Sequence, residues 1–205
     1  MIRKLNTQLQ KISLQDPLFV FVTGASGAGK TSLISALEQR IDMQYAHIAF
    51  FDTIGVPSSE IMVRDYGSAE KWQEAKTHEW VERLRCVTGK KLVLLEGQYN
   101  PNFVVKACKE CNISNYIIIN IHAKDGLREE RLTQSRNQPE LVNQDMRNWS
   151  NFLKTETGKL DGIIVENTNG LEAGVEALSK IIAEKLSLLG KKSINTQLDG
   201  NLHQL

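Results

Sequence analysis

The chain has 205 residues, 41% apolar, 24% charged and 14 of them glycine, which excludes disordered, collagen-like and disulfide-stapled classes and suits one α/β domain with a full core. Twenty-five Lys and Arg against 24 Asp and Glu leave a formal charge of +1, too weak a field to favour nucleic acid or an acidic membrane surface as a partner. Three cysteines, the lack of an apolar N-terminal core and no apolar run near the roughly 18 residues that span a bilayer point to a cytoplasmic protein, neither exported nor membrane-inserted.

Ile2, Leu5, Leu9 and Ile12 recur at spacings of three and four, predicting an amphipathic helix over 2–14 that ends at Asp16-Pro17. From Pro17 onward, short apolar runs at 18–23, 46–51, 91–96, 115–121 and 161–165 alternate with helical patterns. That alternation predicts an α/β three-layer sandwich around a five-stranded parallel sheet, its strands apolar almost throughout because helices cover both faces. Leu33, Ile34, Leu37 and Ile41 mark one helix face; Trp72, Ala75, Trp80, Val81, Leu84 and Val87 mark another, with Ser68 as its N-cap. Two charged helices are expected over 123–137 and 141–156, parted by Asn137-Gln138-Pro139, and a last helix over 170–189. The polar residues 190–205 are expected to form a tail without regular structure, leaving a single domain over 1–189. Cys108 and Cys111 form a lone CxxC with no second pair at zinc spacing and read as structural thiols on a helix. His47, His78, His122 and His203 have no nucleophile at a recognisable spacing.

The informative stretch follows the first strand: Gly24-Ala25-Ser26-Gly27-Ala28-Gly29-Lys30-Thr31-Ser32, a GxxxxGK[ST] pattern that opens a helix. Glycines let successive backbone N–H groups turn toward one phosphate chain at the start of a helix dipole. Lys30 supplies a point charge for the β and γ phosphates, and the Thr31 hydroxyl is a ligand for Mg²⁺.

From about residue 18 to residue 186 the chain resembles the small P-loop kinases of the adenylate kinase and gluconate kinase type. The resemblance implies that Glu96, ending Leu92-Val-Leu-Leu-Glu96-Gly97, supports Mg²⁺ beside the phosphates. It implies a lid over about 124–157, in which Arg128, Arg131 and Arg136 stack on the adenine or neutralise the phosphates, with Arg147 a weaker candidate. It also implies that the loop Val165-Glu166-Asn167-Thr168-Asn169-Gly170 contacts the base through its backbone. No N/TKxD signature of guanine readers occurs, so ATP is preferred to GTP.

The acceptor region is expected over about 52–85. Asp52, at the end of the second strand, suits a hydroxyl acceptor, because an alcohol must lose a proton as it attacks whereas a phosphate is already anionic. Nucleoside monophosphate kinases usually carry arginines after the third strand to grip the acceptor's phosphate, but here the sequence is Glu96-Gly97-Gln98-Tyr99-Asn100-Pro101. Gln98, Tyr99 and Asn100 would hydrogen-bond a neutral polar molecule, and Arg64, with Arg83 or Arg85, is left to hold any acidic group. The reading is an ATP- and Mg²⁺-dependent kinase acting on a small hydroxyl-bearing or nucleoside-type acceptor. Its rivals are a nucleoside monophosphate kinase, a regulatory P-loop ATPase without an acceptor, and a toxin-type kinase acting on a nucleotide sugar, which would carry the same residues.

Overall fold

Five strands, β1 (Leu18–Thr23), β2 (Ala46–Phe50), β3 (Leu92–Glu96), β4 (Tyr116–His122) and β5 (Ile163–Glu166), pair in the order β2-β3-β1-β4-β5, every pair parallel. The computed structural model describes residues 1–14 and 16–202. Every residue of β1 and β3 is buried, as central parallel strands covered on both faces must be.

Alternation along β1 divides the interior in two. Leu18, Val20 and Val22 face one layer, where α1 (Ile2–Lys11), α2 (Lys30–Glu38) and α8 (Leu171–Leu202) supply Leu5, Leu9, Leu33, Leu37, Leu178 and Ile182. Phe19 and Phe21 face the other, where α3 (Ser59–Tyr66), α4 (Ala69–Arg85) and α5 (Pro101–Glu110) supply Met62, Trp72, Trp80, Leu84 and Val104. The helix α7 (Gln144–Lys159) packs on α5, β4 and β5. The three-layer α/β architecture expected from the sequence is therefore present.

One helix, α3, escaped the sequence reading, and of α5 only the stretch bearing Cys108 was expected to be helical. α3 lies inside the segment taken as a connection; Ser58 caps it by accepting the Ile61 N–H, and Gly67 ends it at φ +85°. α5 begins where Asn100 accepts the Asn102 N–H and Pro101 takes the first helical position. The expected break of the C-terminal helix at 189 is corrected: α8 continues to Leu202. No proline interrupts it, and Gly190 lets it close on α1, since a Cβ there would sit 3.0 Å from Ile12. The rest of the expected tail, 203–205 with His203, lies outside the described residues.

The lid segment folds as α6 (Asp125–Glu130), a π-helical turn Arg131–Ser135, a 3-10 turn Pro139–Leu141 and then α7, capped by Asn143 accepting the Met146 N–H at 2.8 Å. No helix among the described residues is long and apolar enough to cross a membrane.

Candidate active site

The loop between β1 and α2 lies at the carboxyl ends of the strands, where open parallel sheets receive ligands. Two of its glycines are obligatory. Gly27 (φ +78°) would bring a Cβ within 2.7 Å of the Arg128 carbonyl oxygen, and Gly29 (φ +90°) would bring one within 2.4 Å of Asn167 Nδ2. An L side chain resists both the torsion and the contact. The loop is thus pressed from outside by the lid and by the segment after β5, leaving its N–H groups and the start of α2 as the anion-receiving surface.

Strand register brings the chemistry together: Glu96 pairs with Val22 of β1 and Phe50 of β2, at the level where all three strands end. Lys30 is buried, with Nζ 3.3 Å from the Ala25 carbonyl oxygen and 3.9 Å from Glu96 Oε1. Burial pulls the Lys30 ammonium below its ordinary pKa and Glu96 opposes that pull; burial likewise pushes the Glu96 carboxyl up, opposed by Lys30. Thr31 Oγ1 stands 3.4 Å from both Glu96 oxygens. These contacts are long for hydroxyl donation, so both side chains keep lone pairs free, and a hydroxyl and a carboxylate are the hard oxygen donors that Mg²⁺ takes. The pair fits that cation.

The lid arginines divide. Arg128, expected at the nucleotide, is 1% exposed and sits behind the loop: Nη1 donates to the Ser26 carbonyl at 2.9 Å and Nη2 to Asp125 at 3.3 Å. It braces the backbone instead of facing the cleft. Arg131 Nη1 lies 3.3 Å from the carbonyls of Gly27 and Ala28, and Nη2 donates to the Asn167 carbonyl at 3.1 Å. Arg131, Arg136, Gly29, Ser32 and Asn167 line a cavity of about 220 Å³. At 3.6 residues per turn Arg136 would lie about 140° round from Arg131. The π turn, closed by Arg136 N–H donating to the Arg131 carbonyl at 3.2 Å, brings both into one cleft, and such turns cluster at functional sites. Asn167 Nδ2 donates to the Ala28 carbonyl at 2.8 Å, whereas Thr168 is exposed and bonds only its neighbour Asn169.

On the opposite side of the loop, Asp52 is exposed in a 3-10 turn (Phe51–Ile54) directly after β2, near enough to act electrostatically on both Lys30 and Glu96. Gln98 Oε1 accepts the Ser26 hydroxyl at 2.9 Å, and its main-chain carbonyl accepts from Gln73 at 3.1 Å. Tyr99, expected to touch substrate, does not reach a cleft. It is fully buried, its hydroxyl 2.8 Å from the Leu95 carbonyl and 3.1 Å from that of Val22, and burial drives its pKa well up. Its role is to fasten the turn after β3 to β1, helped by Thr23 Oγ1 donating to its own carbonyl at 2.7 Å. Arg64 points to solvent and pairs with the adjacent Asp65 at 2.6 Å, so no described contact joins it to the loop or the lid.

A larger groove of about 560 Å³ between α4, α5 and α7 was not anticipated. The signal lay in Trp149 and Phe152, two rings at a spacing of three on an otherwise charged helix.

Comparisons with known proteins bear on the fold that carries this site. The solved gluconokinase from Sinorhizobium meliloti 1021 superposes with a TM-score of 0.61 at 16% identity, covering 88% of this chain and 97% of that one. Shikimate kinase from Acinetobacter baumannii, solved with shikimate, gives 0.55 at 16%, covering 83% and 94%. The protein APE1195 gives 0.57 at 16%, covering 86% and 99%. At that identity the likeness establishes a shared fold, that of P-loop kinases. No curated protein sequence matches the chain. The description of the KAP family P-loop domain matches residues 1–150, a span that takes in the phosphate loop, Glu96 and all three lid arginines, and the chain accordingly belongs to that family.

Proposed function

We propose that the protein is an ATP- and Mg²⁺-dependent phosphotransferase that passes the γ-phosphoryl group to a hydroxyl of a small molecule. The observation that carries this reading is the meeting of Lys30, Thr31 and Glu96 within 3.4–3.9 Å beneath the phosphate loop, with Arg131 and Arg136 reaching in from the lid. Backbone N–H groups from Gly24 to Ser32 would hold the triphosphate, and Lys30 would draw on the β and γ oxygens. Thr31 and Glu96 would hold Mg²⁺, which would supply charge neutralisation at the phosphates. Arg136 would offset the charge that develops on the transferred group, Arg131 would hold the bound nucleotide, and Asn167 and Thr168 would border the base. Asp52, on the acceptor side of the same level of the sheet, would accept the hydroxyl proton. Transfer is then in line, and most of its rate enhancement comes from positioning and electrostatics.

The family match favours a second reading, an NTPase that hydrolyses ATP without an acceptor. ATP turnover measured alone and with a panel of neutral hydroxyl compounds and nucleoside monophosphates separates the two. Acceptor-dependent stimulation supports the kinase; unchanged hydrolysis across the panel supports the NTPase. Lys30→Ala should lower either activity by at least about a hundredfold without changing the fold, and turnover at the parent rate would refute the assignment of the loop.

A further inference from the structure

The groove between α4, α5 and α7 is the place where the kinase reading, on which this inference rests, can be sharpened to a class of acceptor. Its position is set by topology. α4, α5 and α7 all run against the strands, so their first turns stand at the carboxyl edge of the sheet, beside the phosphate loop. Gln73 joins the two places: its Nε2 donates to the Gln98 carbonyl at 3.1 Å and its Oε1 accepts the Asn100 N–H at 2.9 Å, while Gln98 itself holds Ser26 of the loop. Gln73 and Gln98 thus connect the groove to the loop, and 560 Å³ is within the range of small-molecule sites, about 300–1,000 Å³.

Two features of the lining select the ligand. The first is charge. Among the described residues no Lys or Arg lines the groove, so a phosphate or carboxylate on the acceptor finds no ionic clamp there. Three helix N-termini contribute about half a positive charge each, against the full negative charges of Glu70 and Asp145 in the first turns of α4 and α7. The balance is close to neutral and disfavours strong binding of either an anion or a cation. The second feature is the pairing of amides with ring faces. Gln73, Asn100 and Asn148 present donors and acceptors, the pattern that hydroxyl groups satisfy. Trp149 and Phe152 are stacked at 5.2 Å and 15°, and with Phe103 they give a flat apolar wall.

The geometry points to an uncharged, polyhydroxylated ring as the phosphate acceptor, a free sugar or the sugar of a nucleoside, bound in this groove by its hydroxyls and one ring face. The hydroxyl oxygen attacks the γ-phosphorus of ATP, the bond to the β–γ bridging oxygen breaks, and the hydroxyl proton passes to Asp52; the products are the phosphorylated sugar and ADP.

Binding rather than turnover tests it. The full chain, loaded with a non-hydrolysable ATP analogue and Mg²⁺, is titrated calorimetrically with neutral hexoses and pentoses, with nucleosides, and with the matching aldonates and nucleoside monophosphates. The expected result is that at least one neutral compound binds at least tenfold tighter than its anionic counterpart, the sugar and nucleoside arms telling which source supplies the ring. Trp149→Ala should weaken that binding tenfold or more, and the exposed Asn148→Ala, which does not touch the core, should weaken it severalfold. Anions binding as tightly as their neutral parents, binding unchanged in both variants, or binding by no compound would each overturn the inference. A neutral sugar that binds here yet is never phosphorylated refutes the kinase reading alone; efficient phosphorylation of a nucleoside monophosphate refutes the acceptor class alone.

Discussion

Arg131 and Asn167 close a ring around the phosphate loop: the Arg131 guanidinium donates to the Asn167 carbonyl at 3.1 Å, and the Asn167 amide donates to the Ala28 carbonyl at 2.8 Å. Arg131 therefore ties lid, loop and base-side segment together, whereas Arg136 lines the same cavity from an exposed position. Arg131→Ala is expected to raise the KM for ATP about tenfold with a smaller change in kcat, as loss of a uniform binding contact does. Arg136→Ala is expected to lower kcat by about a hundredfold or more, as removal of a charge used in the transition state does. Steady-state kinetics with ATP as the varied substrate distinguishes them, and identical profiles would refute the division.

Glu96→Gln keeps the shape of the side chain and removes its charge beside Thr31. The Mg²⁺ concentration at half-maximal turnover should rise, or turnover fall, by about 10–100-fold. An unchanged metal requirement would remove Glu96 from the metal's surroundings.

The buried Tyr99 hydroxyl lies against the Val22 and Leu95 carbonyls. Tyr99→Phe should cost about 1 kcal/mol of stability, the net worth of an ordinary buried hydrogen bond, and leave KM for any acceptor unchanged. Chemical denaturation reads the first and kinetics the second; a raised acceptor KM at full stability would return Tyr99 to the site.

His122 ends β4, and burial, joined by the nearby Lys154, holds its pKa below the ordinary histidine value. The neutral ring is then favoured in the folded state more than in the unfolded chain. Its contribution is present above the unfolded pKa of about 6.5 and is lost as pH falls below it. Between pH 7.5 and 5.5 the Tm of the wild type should fall further than that of His122→Gln; parallel decreases would contradict this.

The sequence made the phosphate loop and the sheet legible for separate reasons. Gly27 and Gly29 stand at positive φ, where few residue types serve, so the chemistry is written in the residues themselves. The strands are buried on both faces and read as plain apolar runs. Side-chain direction was not written locally. Arg128 and Arg131 stand three apart on one segment, yet one is buried against the Ser26 carbonyl and the other lines the cleft, where it is held by Asn167, which lies far along the chain. Tyr99 looked like a polar group at a strand end because nothing nearby reveals that it turns inward, under Val22. The groove was hidden for the same reason: Gln73, Asn100 and Trp149 come from three helices that only packing assembles.

The two-sided interior has one more consequence. Of the two buried cores, the one beneath α1, α2 and α8 has aromatic rings only at its partly buried edge, Tyr45 and Phe50 among the described residues, while the one beneath α3, α4 and α5 buries Phe19, Phe21, Phe51, Trp72, Trp80 and Tyr99. The phosphate loop opens into the first layer through α2, and the groove stands on the second. Substitutions that reshape the second layer meet the first across strand backbones and through the Gln73–Gln98–Ser26 link, so descendants of this chain that keep that link could exchange one acceptor for another while inheriting the ATP half.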